Sequence, residues 1–139
     1  MAPSPELSDR AKRLSVGILK FVKQLPRDTA ANTVGKQLSR CASSVSANYR
    51  AAGFSRTRTE FVSRLGIVVE EADETRHWLQ VLRDTAVSSP LKLDPLIAES
   101  SELRLIFRAA LRTAKRNLAI QQERKEKARE ERRRKKKEK

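Results

Sequence analysis

The sequence predicts an all-α protein, an antiparallel up-and-down four-helix bundle followed by a basic C-terminal tail. Apolar residues recur at alternating steps of four and three along four segments, a spacing that keeps one face of a helix against a partner. The 139 residues include four glycines and few aromatic or β-branched clusters, which leaves little material for strands. Short linkers between the segments favour antiparallel neighbours.

The first two helices have recognisable ends. Ser4 is a candidate N-cap with Pro5 at the first helical position, and Pro26 is expected to end helix one. Asp28 is the expected N-cap of helix two, and Gly53 its C-terminal cap. The predicted core-facing residues are Leu7, Ala11, Leu14, Ile18, Phe21 and Leu25 in helix one and Val34, Leu38, Cys41, Val45, Asn48 and Ala52 in helix two.

Helix three opens on a capping box, in which Thr57 and Glu60 each satisfy a backbone N–H. It is expected to run to about residue 86, where the sequence SSP at 88–90 breaks it. Asp94 and Pro95 are then expected to form the N-cap and first turn of helix four. The predicted core-facing residues are Phe61, Leu65, Val68, Ala72, Thr75, Leu79 and Leu82 in helix three and Leu96, Ser100, Leu103, Phe107, Ala110 and Ala114 in helix four.

Composition changes abruptly after Leu118, so we divide the chain into a bundle (1–118) and a basic tail (119–139). The tail contains eleven basic and five acidic residues, a net charge of +6. Glutamate, lysine and arginine are good helix formers, so helix four is expected to project beyond the bundle for several turns. The last eight residues, RRRKKKEK, repel one another and are expected to fray.

The net charge of the whole chain is +14, which points to a polyanionic partner and most directly to nucleic acid. A merely solubilising surface is the alternative reading of the same charge. No apolar run approaches the ~20 residues that a membrane span needs, so no membrane partner is expected. Cys41 is the only cysteine, the N-terminal residues do not resemble a signal peptide, and a cytoplasmic location is expected.

Helix four carries the most directed basic pattern. Arg104, Arg108 and Arg112, followed by Lys115 or Arg116, recur at four-residue steps, about 6 Å apart along the helix axis and close to the spacing of phosphates on one strand. Since Phe54 and Trp78 are expected to pack rather than to stack on bases, binding should be backbone-directed, with weak sequence specificity. The predicted phosphate-binding residues are Arg104, Arg108, Arg112, Lys115, Arg116, Arg124, Arg132, Arg133, Arg134, Lys135, Lys136 and Lys137.

An acidic cluster lies in the middle of helix three. Its carboxylates would repel one another unless cations from a neighbouring helix or subunit pair with them. Metal binding is the alternative, but carboxylates spread over a whole helical turn chelate poorly without further ligands. The predicted structural ion pairs join Glu70, Glu71, Asp73 and Glu74 to arginines near the joint between helices two and three, chiefly Arg50, Arg58 and Arg64.

Catalysis has little support in the sequence. Glu74 and His77 have the Glu-x-x-His spacing of di-iron bundles, but such a site needs the motif on two helices, and His77 is the only histidine. A nucleophilic pair of Cys41 and His77 lacks a supporting sequence context. We therefore expect no enzymatic activity, no cofactor and no bound metal.

Three further stretches resemble one known family. They are SVSANYRAA at 44–52, the basic joint before Glu60 and Phe61, and EEADETRHWL at 70–79. They are similar to the four-helix bundle family named after proteins encoded in intervening sequences of bacterial 23S rRNA genes, over roughly residues 7 to 118. The resemblance implies a non-enzymatic homopentamer. It also implies kinship with accessory (variability determinant) proteins of diversity-generating retroelements, which bind nucleic acid and a reverse transcriptase.

Together these observations predict a homo-oligomeric nucleic-acid-binding adaptor that assists a reverse transcriptase on its RNA. The alternative is a protein–protein scaffold encoded in an rRNA intervening sequence, whose basic surface docks an acidic partner. The sequence does not choose between RNA and DNA.

Overall fold

The four predicted helices are present in the computed structural model, which describes residues 3–86 and 88–139. They are α1 (Pro5–Val22), α2 (Thr29–Ala52), α3 (Arg58–Asp84) and α4 (Pro90–Lys137). Each helix packs against the next one in the chain, and α1 also meets α4, so the four close into a bundle. No strand occurs within these described residues. The predicted all-α four-helix bundle is confirmed.

The core follows the predicted apolar spacing closely. In α3 every predicted core position from Leu65 to Leu82 is buried, and Phe61 is half-buried. In α2 the buried residue near the C-terminal end is Tyr49 rather than Asn48, and the Tyr49 ring lies 5.1 Å from that of Phe107 on α4. Asn48 instead donates from Nδ2 to the Ser44 carbonyl of its own helix. An aromatic ring gains more from burial than an amide does, which explains the exchange.

The helix starts are capped as the sequence suggests. The Asp28 carboxylate accepts from the Ala31 N–H at 2.8 Å, and Thr57 Oγ1 accepts from the Glu60 N–H at 3.1 Å. Glu60 reaches back to accept from the backbone N–H of Arg56, one residue before the cap, at 2.9 Å. The Thr57 and Glu60 contacts fix the α2–α3 turn, around which Arg50, Arg56 and Arg58 are exposed.

Two helix boundaries differ from expectation. Helix α1 ends at Val22 rather than at Pro26. Past this point the hydrogen bonds of Gln24 and Leu25 connect residues three apart instead of four: their N–H groups donate to the carbonyls of Phe21 and Val22. Helix α4 begins earlier than expected, at Pro90, with Ser89 as its N-cap. The predicted start at Asp94 and Pro95 is wrong.

The earlier start of α4 has a clear physical reason. The added turn carries Leu93 into the core, where it is fully buried. Pro95 lies near the start of the helix, where its missing N–H forfeits a single bond to the Leu91 carbonyl. Asp94, no longer needed as a cap, lies 3.7 Å from Arg83 of α3.

Helix α4 is much longer than its partners. Its 48 residues span about 72 Å, against about 40 Å for the 27 residues of α3. Ala114 is the last buried residue along α4, so roughly 30 Å of helix projects past the end of the bundle. We call residues 119–137 the basic rod. The predicted fraying at its end is wrong, since the helix continues to Lys137.

Charge placement explains why the basic rod stays helical. Lys127 lies 3.7 Å from Glu123, one turn earlier in the helix. Glu130 and Glu131 precede Arg134 and Lys135 by four residues, a spacing at which opposite charges support a helix. The four basic residues of the last turn also face the negative end of the helix dipole.

Candidate nucleic-acid interface

The four-residue arginine pattern of α4 does not lie on one face. A step of four residues turns the helix by about 40° beyond a full circle, so successive members rotate from the α3 side towards solvent. Arg104 lies on the α3 side: its side chain is 19% exposed, and Nη1 is 3.2 Å from the Asp73 carboxylate. Its Nε atom is buried without a hydrogen-bond partner among the described residues. Arg104 is therefore the least accessible of the predicted phosphate-binding residues.

The next members of the pattern are displayed differently. Arg108, Arg112, Lys115 and Arg116 are exposed. Over residues 3–86 and 88–139, no carboxylate lies within 4.0 Å of any of these four cations. Their charges are available to a polyanion in solution.

The basic rod continues this exposed charge away from the bundle. Every residue from Glu123 to Lys137 is exposed, which includes all of the predicted tail residues. A helix with the bundle on one end only can be approached from any side by a nucleic-acid strand. The tail residues placed on the rod are Arg124, Arg132, Arg133, Arg134, Lys135, Lys136 and Lys137.

A second basic area surrounds the α2–α3 turn. Arg50, Arg56 and Arg58 are exposed there, and Arg58 donates from Nη1 to the Asn117 carbonyl of α4 at 3.3 Å. Arg64 is committed to the protein: it pairs with Glu60 at 2.7 Å and also donates to the Ala51 carbonyl. The turn thus brings basic residues of α2 and α3 beside the point at which α4 leaves the bundle.

An open cleft of about 290 Å³ lies at this same end, between α3 and α4. Tyr49, Phe61 and Leu65 form its apolar wall, and Arg58 and Asn117 lie at its polar side. Phe54, in the turn, is 71% exposed. The expectation that Phe54 packs is wrong, whereas Trp78 is half-buried and donates from Nε1 to Glu74.

The acidic cluster of α3 pairs with different arginines from those predicted. Arg40 of α2 lies 3.2 Å from Glu71 and also pairs with Glu74, while Asp73 pairs with Arg104 of α4. Antiparallel pairing explains the difference, because residues equally distant from the α2–α3 turn lie opposite each other, which places Arg40 beside residues 71–74. The predicted partners, Arg50, Arg58 and Arg64, lie too close to the turn. Glu70 is exposed and has no ion-pair partner in the described part of the chain.

The Arg40 pair has a consequence for acid stability. The Arg40 guanidinium, followed by the Trp78 indole, lowers the pKa of Glu74. A carboxylate whose pKa is lowered by folding stabilises the protein above its ordinary pKa of ~4.3, and this contribution disappears as the pH falls through the lowered value.

We therefore expect Arg40→Gln to be less stable than the parent at pH 7, with the difference shrinking below about pH 4.3. Urea unfolding at pH 7, 5, 4 and 3 would measure it. Arg83→Gln, which removes a longer and more exposed ion pair, is the control and should show a smaller difference at pH 7. If the difference in the free energy of unfolding between the parent and Arg40→Gln grew as the pH fell, the stabilising role assigned to the Arg40–Glu74 ion pair would be contradicted.

The remaining reactive side chains do not form a site. Cys41 is fully buried, and burial raises the pKa of its thiol. His77 is exposed and lies edge-on to the Trp78 ring at 4.9 Å. The Tyr49 hydroxyl accepts from the Ser4 N–H at 2.8 Å, which ties the start of α1 to the end of α2.

No group of three or more metal-ligating side chains is found among the residues described. None of the helices in this part of the chain is long and apolar enough to cross a membrane.

The sequence correctly predicts that the tail cations continue helix α4. It does not predict two features of the bundle end at the α2–α3 turn, the exposed Phe54 and the cleft. The exposed Phe54 carries no sequence signal, because a lone phenylalanine beside a glycine reads equally well as packed or exposed. The cleft depends on the spacing of three helices. The sequence around Thr57, Arg58 and Glu60 indicates a basic turn, but it indicates neither the exposure of Phe54 nor the presence of a cleft.

Comparison with known proteins agrees with this architecture. No curated protein matches the chain. A crystal structure of a protein of unknown function from the S23 ribosomal protein family of Bacteroides thetaiotaomicron VPI-5482 superposes with a TM-score of 0.70 at 26% identity. The match covers 76% of this chain and 97% of that one. The sequence model of the 23S rRNA-intervening sequence protein family matches residues 6–109, which include most of the bundle and stop short of the basic rod. The chain therefore belongs to the 23S rRNA-intervening sequence protein family.

Proposed function

We propose that this protein is a non-enzymatic, homo-oligomeric adaptor that binds the phosphate backbone of nucleic acid. The observation that carries the proposal is the basic rod, a helical extension of about 30 Å whose cations all face solvent. The same helix also displays the exposed Arg108, Arg112 and Arg116 before the rod begins, so both groups of cations lie on one element. The ten cations of the rod outnumber its four glutamates, and this net positive charge attracts polyphosphate.

Binding of this kind reads the backbone rather than the bases. Arginine offers a planar fork that matches two phosphate oxygens, and lysine acts as a point charge. The rod has no aromatic residue and so cannot stack on bases. Sequence specificity should accordingly be weak along α4.

The proposal includes self-association. Val16 and Leu19 on α1, Ile67 on α3 and Leu105 on α4 remain partly exposed, at 37–57%. A second copy could cover such side chains, and several rods in one assembly would convert weak single-site binding into avidity. The family resemblance favours a pentamer, which light scattering on the purified protein would test.

The finer proposal is an accessory role beside a reverse transcriptase, acting on RNA. Its support is the resemblance over residues 44–52 and 70–79 together with the polyanion-binding surface. A reverse transcriptase gene next to this one, and co-purification of the two proteins, would support it. A gene position inside an rRNA locus with no such neighbour would count against it.

The test of the central proposal is the salt dependence of binding. We expect affinity for a mixed-sequence 30-nucleotide RNA or DNA, measured by fluorescence anisotropy, to fall by about 10³-fold or more between ~50 and ~200 mM salt. The triple variant Arg108→Gln, Arg112→Gln, Arg116→Gln should bind more weakly and show a shallower salt slope, by about 0.7–0.9 for each phosphate contact removed. Its fold should be unchanged, because all three residues are exposed.

A matched control removes the same charge elsewhere. Lys23, Arg27 and Lys36 are exposed around the α1–α2 turn, at the opposite end of the bundle from the basic rod, and their triple glutamine variant should keep most of the affinity. Equal losses in both triple variants would mean that net charge alone is measured. Absence of binding at ~50 mM salt, or a partner retained after nuclease treatment during purification, would favour the scaffold with an acidic protein partner.

A further inference from the structure

The end of the bundle at the α2–α3 turn combines aromatic surface with unpaired positive charge. Phe54 is 71% exposed in a chain whose aromatic content is 4%. Burying a phenylalanine side chain stabilises a protein by ~1.5–3 kcal/mol, so one left largely in water forgoes most of that gain. The Phe54 N–H bonds to the Ala51 carbonyl at 3.0 Å, which places the residue in the ordered turn that directly follows α2.

The cleft at the same end of the bundle offers a second place for a flat ring. Its volume of about 290 Å³ is near the lower limit for ligand pockets of ~300–1,000 Å³, which suits one small ring system rather than a large ligand. Phe61 and Leu65 supply apolar contact, and the Asn117 side supplies polar groups. Arg58 lies on the cleft and is held there by its 3.3 Å bond to the Asn117 carbonyl.

Positive charge surrounds both features. Arg50 and Arg56 are exposed on the turn, and Lys115 and Arg116 are exposed at the same level of α4. The one carboxylate of the turn, Glu60, is already engaged by Arg64 and by the Arg56 N–H. An anionic ligand with flat apolar rings complements this combination in both charge and shape.

We propose that this end of the bundle is a binding site for single-stranded nucleic acid, with one base stacked on Phe54, a neighbouring base in the Phe61 cleft, and the linking phosphates on Arg56 and Arg58. The inference rests on the proposed function, because it adds to the phosphate-binding surface a site that distinguishes single-stranded from double-stranded nucleic acid. A duplex keeps its bases stacked inside and has no free ring face for Phe54, whereas a single strand has one at every nucleotide. The basic rod binds either form; this end selects the single strand.

Substitutions of Phe54 test the stacking directly. Phe54→Leu keeps an apolar side chain and the charge but loses the aromatic face, so affinity for a 12-nucleotide single strand should fall by about fivefold or more, with the salt slope unchanged. Phe54→Trp should restore or strengthen binding. Leu91→Ala is the control: Leu91 is 88% exposed at the start of α4, away from the turn, and its removal should leave affinity unaltered. None of these variants should alter affinity for a duplex of equal length.

Fluorescence of the Phe54→Trp variant supplies an independent readout. The natural Trp78 lies on α3, twenty residues beyond Arg58 and hence about 30 Å from the turn. Stacking of a base on the introduced indole should quench its emission when oligo-dT is added, while the parent protein should show no quenching.

The outcomes separate this inference from the proposed function. If the parent binds neither form at ~50 mM salt, both fail. If the parent binds with a steep salt slope, but Phe54→Leu binds the single strand as tightly as the parent does and the introduced tryptophan is not quenched, the inference fails and the phosphate-binding function stands. A Phe54→Leu substitution that weakened binding of single strand and duplex equally would also overturn the inference.

Discussion

Phe107→Ala is expected to lower the free energy of unfolding by about 3–5 kcal/mol. Phe107 is fully buried, and its ring lies 5.1 Å from that of Tyr49 at an angle of 48°. Alanine would remove both the buried apolar surface and this aromatic pair, and the close-packed core around it cannot fully move in to fill the space. Since domains of this size typically have about 5–15 kcal/mol of stability, this loss would be a substantial fraction of the total.

Urea unfolding followed by circular dichroism would measure the loss. Leu91→Ala is the matched control on the same helix: Leu91 is 88% exposed and lies outside the proposed self-association surface, and its substitution should change stability by about 0.5 kcal/mol or less. Both variants should be compared at one protein concentration, because self-association would add to the apparent stability. A loss below about 1 kcal/mol for Phe107→Ala would show that the centre of the bundle is not packed as described.

Removal of residues 119–139 should weaken nucleic-acid binding by about 100-fold at ~100 mM salt, with almost no effect on the stability of the bundle. The deleted segment has a net charge of +6, and all of its residues except Gln121 are exposed. Ala114 is the last buried residue of the chain, so no core contact is lost. Anisotropy titrations and urea unfolding on the same preparation would measure the two effects separately.

A second variant separates the charge of the rod from its helical shape. Ala119→Pro keeps every charge but breaks or kinks α4 where it leaves the bundle. If nucleic-acid binding requires a straight helix that keeps the rod in line with Arg112 and Arg116, affinity should also fall in this variant, although by less than in the deletion. A deletion that destabilised the bundle by more than about 1 kcal/mol would mean that the tail belongs to the folded domain.

The helix positions and most core contacts could be predicted because they depend on residues near one another in the chain. Leu65, Val68, Ala72, Thr75, Leu79 and Leu82 are buried as the four-and-three spacing requires. Asp28 and Thr57 cap their helices through hydrogen bonds that span three residues. The start of α4 was misplaced although Ser89 and Pro90 repeat the N-cap and first-turn pattern of Ser4 and Pro5; burial of Leu93 adds a tertiary reason for this earlier start.

The candidate site could be predicted only in part, for a related reason. The sequence by itself determined the bundle, the family resemblance and the concentration of positive charge in α4 and the tail, because composition and short-range spacing carry this information. The tertiary structure alone decided which cations remain free: the rotation of α4 against α3 pairs Arg104 with Asp73 and leaves Arg108 and Arg112 in solvent. It also brought Phe54, the Phe61 cleft and Arg58 to the end where α4 departs. Pairing and exposure depend on how helices far apart in sequence are oriented in space, and no local pattern specifies that orientation.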